Sequence, residues 1–205
     1  MKKIAFLLAF ISIVCQTGFA QTTLSPAAVL DKTVALISSA KGVEAAFTVS
    51  NSGYTGRGVI KSAGLKYSVT LPDVEVWYNG KDLYTYNKNS GETTIVSPTR
   101  EEIEESNPLA YVAGAKKNYK VAFSTVKKPG KYVLELIPIA KGDIKRVTLT
   151  VNKSNFHPEK IVVEPSKGNP IASDITSFKT GSSFISADFE YPKTKYPKAE
   201  IVDLR

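Results

Sequence analysis

The stretch Val74-Glu-Val-Trp-Tyr-Asn-Gly-Lys-Asp-Leu-Tyr-Thr-Tyr-Asn87 decides the fold class of this chain. Two segments rich in aromatic and β-branched residues flank Asn79-Gly80, which predicts a β-hairpin closed by a type I′ turn. Pairing outward from that turn places Val76 opposite Leu83 on one face and puts Trp77 on the other. Both faces carry large apolar side chains, whereas a half-solvated sheet has only one apolar face. Either another element or an apolar ligand must cover the second face.

The rest of the sequence predicts one large antiparallel sheet or open barrel with few helices. Ser25-Pro26 begins a first helix that ends at Gly42. Thr99 and Glu102 form a capping-box pattern, and Asn107-Pro108 begins a further short helix. The predicted strands are Val43–Ser50, Gly56–Ser62, Lys66–Leu71, Val74–Tyr78, Leu83–Asn87, Thr93–Val96, Tyr119–Lys127, Lys131–Ile139, Asp143–Val151, Lys160–Val163, Ile171–Lys179 and Phe184–Tyr191.

Residues 1–20 have the features of a secretory signal peptide. A basic start is followed by the apolar run Ile4–Cys15 and by Gly18-Phe19-Ala20, which puts small residues where a signal peptidase reads. The apolar run is too short to span a bilayer. The sequence therefore predicts a single exported, extracytoplasmic domain over residues 21–205 without stable membrane insertion. Acylation at Cys15 is the alternative, but Val14 stands where a small residue is usual.

The residue types of this chain point to no catalytic or metal chemistry, although a glycosidase, which needs only two carboxylates, stays open as an alternative. It has one histidine, His157, one cysteine, and no HExxH, zinc, calcium or phosphate-loop pattern. The acidic run at Glu101, Glu102, Glu104 and Glu105 is best interpreted as the solvated start of a helix. The sequence thus predicts no enzyme, no cofactor and no metal. A lipid-processing hydrolase would require His157 to lie beside a serine and a carboxylate.

The charge of the chain is basic, with a formal net charge of +8. Its lysines are spread thinly, which favours solubility, and weak attraction to anionic lipid head groups or an acidic partner is the alternative. No aromatic-basic nucleic-acid motif is present, so we expect no nucleic-acid partner.

Several motifs in order resemble the LolA-like family of periplasmic lipoprotein carriers. They are Gly56-Arg-Gly-Val-Ile-Lys, the Tyr78–Asn87 turn block, Asn107-Pro108-Leu109, Lys131-Tyr-Val-Leu-Glu-Leu and Ile144-Lys-Arg-Val-Thr-Leu-Thr-Val151. The resemblance implies an open antiparallel half-barrel with a helical lid, mainly β in class. It also implies a monomeric carrier that shields lipoprotein acyl chains in an apolar groove and has no cofactor. The implied partners are acylated lipoproteins, an inner-membrane lipoprotein transporter and an outer-membrane acceptor.

The family pattern places an Arg-Pro after the second strand, where the arginine helps to hold the lid. Here the corresponding residues are Lys61-Ser62-Ala63-Gly64, so Arg57 or Arg100 would have to replace it. This departure keeps open a same-fold module that carries or senses another amphiphile, such as a fatty acid, isoprenoid or glycolipid. The candidate groove residues are Phe47, Val49, Val76, Trp77, Leu83, Tyr84 and Tyr86. The candidate lid residues are Leu30, Val34, Ile37, Leu109 and Val112.

Overall fold

A single open sheet dominates the computed structural model, which describes residues 24–38 and 41–205. The predicted signal peptide lies outside the described residues. The strands are β1 (Val43–Asn51), β2 (Tyr54–Ala63), β3 (Lys66–Thr70), β4 (Val74–Tyr78), β5 (Leu83–Asn87), β6 (Glu92–Val96), β7 (Tyr119–Phe123), β8 (Lys131–Pro138), β9 (Ile144–Asn152), β10 (Pro158–Pro165), β11 (Ile171–Thr180) and β12 (Glu200–Asp203). The helices are α1 (Pro26–Ile37), α2 (Arg100–Ser106), α3 (Pro108–Ala113) and α4 (Ala115–Asn118), with a 3-10 helix at Ser186–Phe189.

The twelve strands form one sheet in the order β12-β6-β5-β4-β3-β2-β1-β11-β10-β9-β8-β7. All neighbours pair antiparallel except β12, which runs parallel to β6. The two halves of the chain meet where β1 pairs with β11. The sheet stays open, with β12 and β7 at its edges. The predicted fold class, mainly β with an open antiparallel half-barrel and a helical lid, is confirmed as one open sheet of twelve strands with few helices.

One face of the sheet, here called the helix face, forms the hydrophobic core with the helices. Side chains at alternate positions point to this face because successive residues of a strand point to opposite sides. α1 packs against α3, β7 and β8. The largest fully buried residues on the helix face and its helices are Tyr67, Leu30, Ile60, Leu109, Leu134, Leu136, Leu149 and Ile161.

The hairpin forms as predicted, but its predicted register is wrong. Val76 pairs with Thr85, not with Leu83, and Leu83 pairs with Tyr78. The turn is centred on Gly80-Lys81, where Gly80 has φ 97°. Asn79 lies outside it, and its Oδ1 accepts hydrogen bonds from the backbone N–H groups of Lys81 (3.0 Å) and Asp82 (2.9 Å). The slip spans an even number of residues, so each side chain keeps its predicted face.

Other differences concern the ends of β7 and the C-terminus. The predicted strand Tyr119–Lys127 ends at Phe123. The predicted strand Phe184–Tyr191 is wrong, because the chain forms a 3-10 helix there, capped by the hydrogen bond from the Ile185 N–H to Asp188 Oδ2 (2.9 Å). A strand that the sequence did not predict, β12, follows it and pairs with β6.

Candidate functional site

Helix α1 is fixed to the helix face by its apolar side and by one buried hydrogen bond. Ser25 caps its start by accepting from the Ala28 N–H (3.1 Å), and Pro26 occupies the first turn. Thr33 is fully buried, and its hydroxyl donates to the carbonyl oxygens of Phe156 (3.0 Å), in the turn between β9 and β10, and of Val29 (3.2 Å), one helical turn earlier. The bond to Phe156 ties the middle of α1 to the far end of the sheet.

Helix α2 is tied to β3 by a pair of hydroxyl groups. The predicted capping box is present: Thr99 N–H donates to Glu102 Oε2 (2.6 Å), and the Glu102 N–H donates to Thr99 Oγ1 (3.3 Å). Ser106 donates to the carbonyl oxygen of Glu102 (2.7 Å), so it accepts from the Tyr67 hydroxyl, at 2.5 Å. Burial raises the pKa of Tyr67 to about 12, which keeps the phenol protonated as the donor.

A cavity of about 450 Å³ lies between these tied helices and the β2–β3 turn. This volume falls within the roughly 300–1,000 Å³ of typical ligand sites. Mostly apolar side chains line it, with Tyr67 at the sheet and Arg100 at the start of α2. The other main lining residues are Ile37, Leu65, Ile103, Leu109, Ala110 and Ala113. Leu65 is 81% exposed at the rim, so the cavity communicates with solvent past an apolar side chain.

The aromatic ring of Phe47 lies close to β2, where its paired neighbour is Gly58. A Cβ at Gly58 would stand 2.7 Å from the Phe47 ring and 2.8 Å from a Leu71 methyl group. Any larger residue would push Phe47 off the sheet. Gly58 of the Gly56-Arg-Gly motif therefore leaves room on the helix face for a large aromatic side chain.

The structure separates the seven candidate groove residues into two groups. Phe47, Val76 and Leu83 are buried on the helix face, and Val49 is half-buried beside them. Trp77, Tyr84 and Tyr86 point to the opposite face of the same strands. These two groups cannot line one groove, because a sheet lies between them.

A C-terminal segment, residues 182–205, covers the opposite face of β3–β6. Tyr191 contacts Trp77 edge-on at 5.6 Å between ring centroids and stacks on Tyr84 at 5.7 Å. Tyr196 stacks on Tyr86 at 4.0 Å. The chain itself thus supplies the cover that the two-sided hairpin requires.

A buried carboxylate anchors this C-terminal segment. Glu75 Oε2 accepts from the Tyr196 hydroxyl (2.7 Å) and from Lys195 Nζ (3.0 Å), and Lys88 Nζ lies 3.2 Å from Oε1. Burial would raise the pKa of Glu75, but these hydrogen bonds outweigh it, so the pKa is lower than its ordinary value of 4.5. Glu75 therefore stays ionised and holds the segment to the sheet.

The candidate lid residues come together over the helix face. Leu30 and Ile37 of α1 and Leu109 and Val112 of α3 are buried in the core cluster. Val34 is half-buried and packs against it. Ile37 and Leu109 also line the cavity.

Of the two candidate latch arginines, only Arg100 borders the cavity. Arg57 lies on β2 between glycines that face the helices, so its own position is on the opposite face. The sequence did not identify the two hydroxyl ties, Thr33 to Phe156 and Tyr67 to Ser106, nor the cavity residues Ile103 and Ala110. The Thr99–Glu102 capping box could have pointed to Ile103, because it predicts a helix that contains this residue.

The single histidine, His157, lies in the turn between β9 and β10. The His157 ring lies 5.0 Å from the Phe178 ring, and its backbone N–H donates to Asn155 Oδ1 (3.0 Å). Within residues 24–38 and 41–205, no serine hydroxyl or carboxylate is bonded to that ring, so the hydrolase alternative has no support here. The same residues contain no cluster of three or more potential metal-ligating side chains. No helix among them is long and apolar enough to cross a membrane.

The sequence profile of one protein family matches most of this chain. The family is described as "Outer membrane lipoprotein carrier protein LolA", and the match covers residues 16–167. It includes α1 to α4 and the strands through β10, and it ends before β11 and the C-terminal segment. No curated protein sequence matches the chain.

Solved structures resemble the fold at low sequence identity. An uncharacterized conserved protein from Thermus thermophilus aligns with a TM-score of 0.56 and 14% identity, over 85% of this chain and 96% of that one. A LolA superfamily protein from Nitrosomonas europaea has a TM-score of 0.45 and 16% identity, over 82% and 99%. A putative outer membrane lipoprotein-sorting protein domain from Vibrio parahaemolyticus aligns with a TM-score of 0.48 and 12% identity, over 83% of this chain and 97% of that one. The Thermus match supports the fold alone.

Proposed function

Because the chain belongs to the outer membrane lipoprotein carrier protein LolA family, we propose that it is a periplasmic carrier that binds acyl chains beneath its helices. The cavity under α2 and α3 is the observation that carries this proposal. It is apolar, opens at Leu65 and continues into the core cluster through Tyr67 and Leu109. An acyl chain gains about 0.8 kcal/mol for each methylene buried there.

The proposed groove is restricted to the helix face. The wall would be Phe47, Val49, Val76 and Leu83, which lie in or against the same core cluster. The lid would be Leu30, Val34 and Ile37 together with Leu109 and Val112. In the structure these residues pack on one another, so a long acyl chain would have to displace the lid. The ties Thr33 to Phe156 and Tyr67 to Ser106 are the contacts that such opening would strain or break.

The proposed cargo is an acylated lipoprotein on its way to the outer membrane. An inner-membrane lipoprotein transporter would load it, and an outer-membrane acceptor would unload it. The carrier would be a monomer without a cofactor or catalytic residues. A different amphiphile is the second candidate, because the sequence lacks the family's arginine and Arg100 is the cationic side chain at the cavity.

The test is to fill the cavity and measure ligand binding. Ala110 lines the cavity on α3, and Ala110→Trp would occupy that space without removing a core side chain. We expect binding of a triacylated lipopeptide, measured by calorimetry, to fall at least about tenfold, since several buried methylenes would be lost. Ala35→Trp, on the exposed side of α1, is the matched control and should bind normally.

The ligand series separates the candidates. Binding of the lipopeptide but not of its deacylated form would support an acyl-chain site. Equal or tighter binding of a free fatty acid or an isoprenoid lipid would favour the second candidate. Normal lipopeptide binding by a folded Ala110→Trp protein would contradict the proposed site.

A further inference from the structure

A second apolar surface lies at the end of the sheet where β7 ends. Three aromatic rings form a row there: Phe123 stacks with Tyr132 at 5.8 Å, and Tyr132 stacks with Phe156 at 6.3 Å. The loop between β7 and β8 passes beside this row and carries Val126, which is 57% exposed. Phe123 is itself 37% exposed. These side chains form a contiguous exposed apolar group, here called the apolar tip, and such a group rimmed by polar residues marks a candidate interaction surface.

Lysines surround this apolar tip. Lys127 and Lys128 follow Val126 directly, and both are exposed. Lys153 lies 5.2 Å above the Tyr132 ring and Lys32 lies 5.0 Å above the Phe156 ring. The Lys153 N–H donates to the carbonyl oxygen of Gly130 (3.0 Å), which joins the β9–β10 turn to the loop. Lys127, Lys128 and Lys153 therefore lie on connected backbone, and together with Lys32 on α1 they form what is here called the collar.

The charge of this collar is largely uncompensated. Glu159 is the carboxylate that faces it, and Lys131 and Asn152 already bind Glu159. Within the described parts of the chain, Lys127, Lys128 and Lys153 join no salt bridge. A cavity of about 530 Å³ lies between the tip and the collar, lined by Leu24, Phe123, Val126, Tyr132 and four lysines.

We propose that this end of the molecule docks on the surface of a bilayer that contains anionic phospholipids. Val126 and Phe123 would enter the head-group region, and the lysines of the collar would contact lipid phosphates. Two properties favour a bilayer over an acidic protein. The apolar part is a small exposed tip rather than a broad flat patch, and the lysine stems can bury while their ammonium groups stay in water. This docking surface is separate from the mouth of the cavity under α2 and α3, because Leu65 at that mouth lies on the β2–β3 turn. The proposal does not depend on what the cavity binds.

Vesicle co-sedimentation tests this docking surface. We expect the mature protein to bind vesicles of phosphatidylglycerol mixed with phosphatidylcholine, to bind pure phosphatidylcholine much more weakly, and to release at high salt. Lys127→Glu with Lys128→Glu should lower the partition coefficient by more than about tenfold, because each basic residue near an anionic surface contributes several-fold. Val126→Asp, which keeps all the lysines, should also weaken binding.

The matched control is Lys193→Glu with Lys198→Glu. It makes the same change of net charge on exposed lysines of the C-terminal segment, and we expect it to bind anionic vesicles within about twofold of wild type. Equal losses in the control and the loop variant would mean that net charge alone drives binding, which would overturn the proposal. Failure of the wild-type protein to bind anionic vesicles at low salt would overturn it too. The thermal unfolding of the loop variants should match that of wild type, which would show that they lose vesicle binding without losing their structure.

Discussion

The two faces of the β4–β5 hairpin are both apolar, yet different parts of the chain cover them. On the helix face, Val76 and Leu83 belong to the core cluster that also contains the apolar residues of α1 and α3. Two hydroxyl hydrogen bonds tie the helices to this side, and a cavity remains beneath them. On the opposite face, Trp77 and Tyr84 meet the C-terminal segment through stacked rings. An apolar strand face therefore does not by itself mark a ligand site. Which face can open depends on how firmly the helices or the C-terminal segment are held to the sheet.

The two covers differ in how they are fixed. The C-terminal segment is held at several points, by Tyr191 and Tyr196, by the charged contacts of Glu75 and by the β12–β6 ladder. The helices rely more on side-chain packing. We therefore expect the C-terminal segment to stay in place while the helices move.

The largest expected effect concerns packing under the helices. Leu30→Ala should lower the free energy of unfolding by about 2–5 kcal/mol, because it removes a fully buried side chain and leaves a cavity. Leu65→Ala, at the exposed rim, should change it by less than about 0.5 kcal/mol. Denaturant unfolding measures both. Similar values for the two variants would mean that α1 does not pack on the core as described.

A smaller effect is expected at the anchor of the C-terminal segment. Glu75→Gln removes the charge that binds Lys88, Lys195 and Tyr196, and should cost about 1.5–3 kcal/mol. Trp77 emission should shift to the red as the segment loosens and water reaches the indole. Glu200→Gln, on an exposed position of the same segment, should leave both readouts unchanged. If Glu75→Gln changed neither the free energy of unfolding nor Trp77 emission, the stacked aromatic rings alone would hold the C-terminal segment.

The same carboxylate predicts how stability depends on pH. Its pKa is lowered in the folded state, so its contribution is fully present above 4.5 and is lost as the pH falls through the folded pKa. Below about pH 4.5 the wild-type protein should therefore lose stability faster than Glu75→Gln. Thermal unfolding across this pH range gives the difference. Parallel curves for the two proteins would contradict the assignment, since Glu159, whose pKa is also lowered, is present in both.

The smallest effect is expected on the solvated part of the opposite face. Arg146 pairs there with Glu164 at 2.7 Å, in a region that the C-terminal segment does not cover. Arg146→Met should cost less than about 1 kcal/mol, because exposed ion pairs contribute little. If Arg146→Met lowered the free energy of unfolding as much as Glu75→Gln, the uncovered part of this face would contribute as much to stability as the part under the C-terminal segment, contrary to expectation.

Local patterns predicted β1 to β11, the two-sided hairpin and the N-terminal caps of α1, α2 and α3, whereas α1 ends at Ile37 and not at Gly42. The hairpin register was wrong because the Asn79 side chain, which the sequence cannot place, shifts the turn to Gly80-Lys81. Residues 184–191 were misassigned because an apolar run that covers a sheet has the same composition as a strand. This error left the opposite face without a known cover.

The candidate site was harder to predict than the fold. Leu65, Ile103 and Ala110 come from separate elements, and only tertiary packing brings them around one cavity. Alternation correctly divided the hairpin residues between two faces. It could not show which face meets the helices, since both faces are equally apolar.

Two reporters in one lipopeptide titration show whether the ligand binds on the helix face or on the opposite face of the sheet. Cys15 is the only cysteine and lies in the predicted signal peptide, so Leu65→Cys gives the mature protein a single labelling site at the cavity rim. Trp77 reports on the opposite face. Saturable binding of a triacylated lipopeptide should shift a polarity-sensitive label on residue 65 to the blue and leave Trp77 emission unchanged. A Trp77 shift with a silent label would contradict the claim that the helix face, and not the face under the C-terminal segment, receives the ligand.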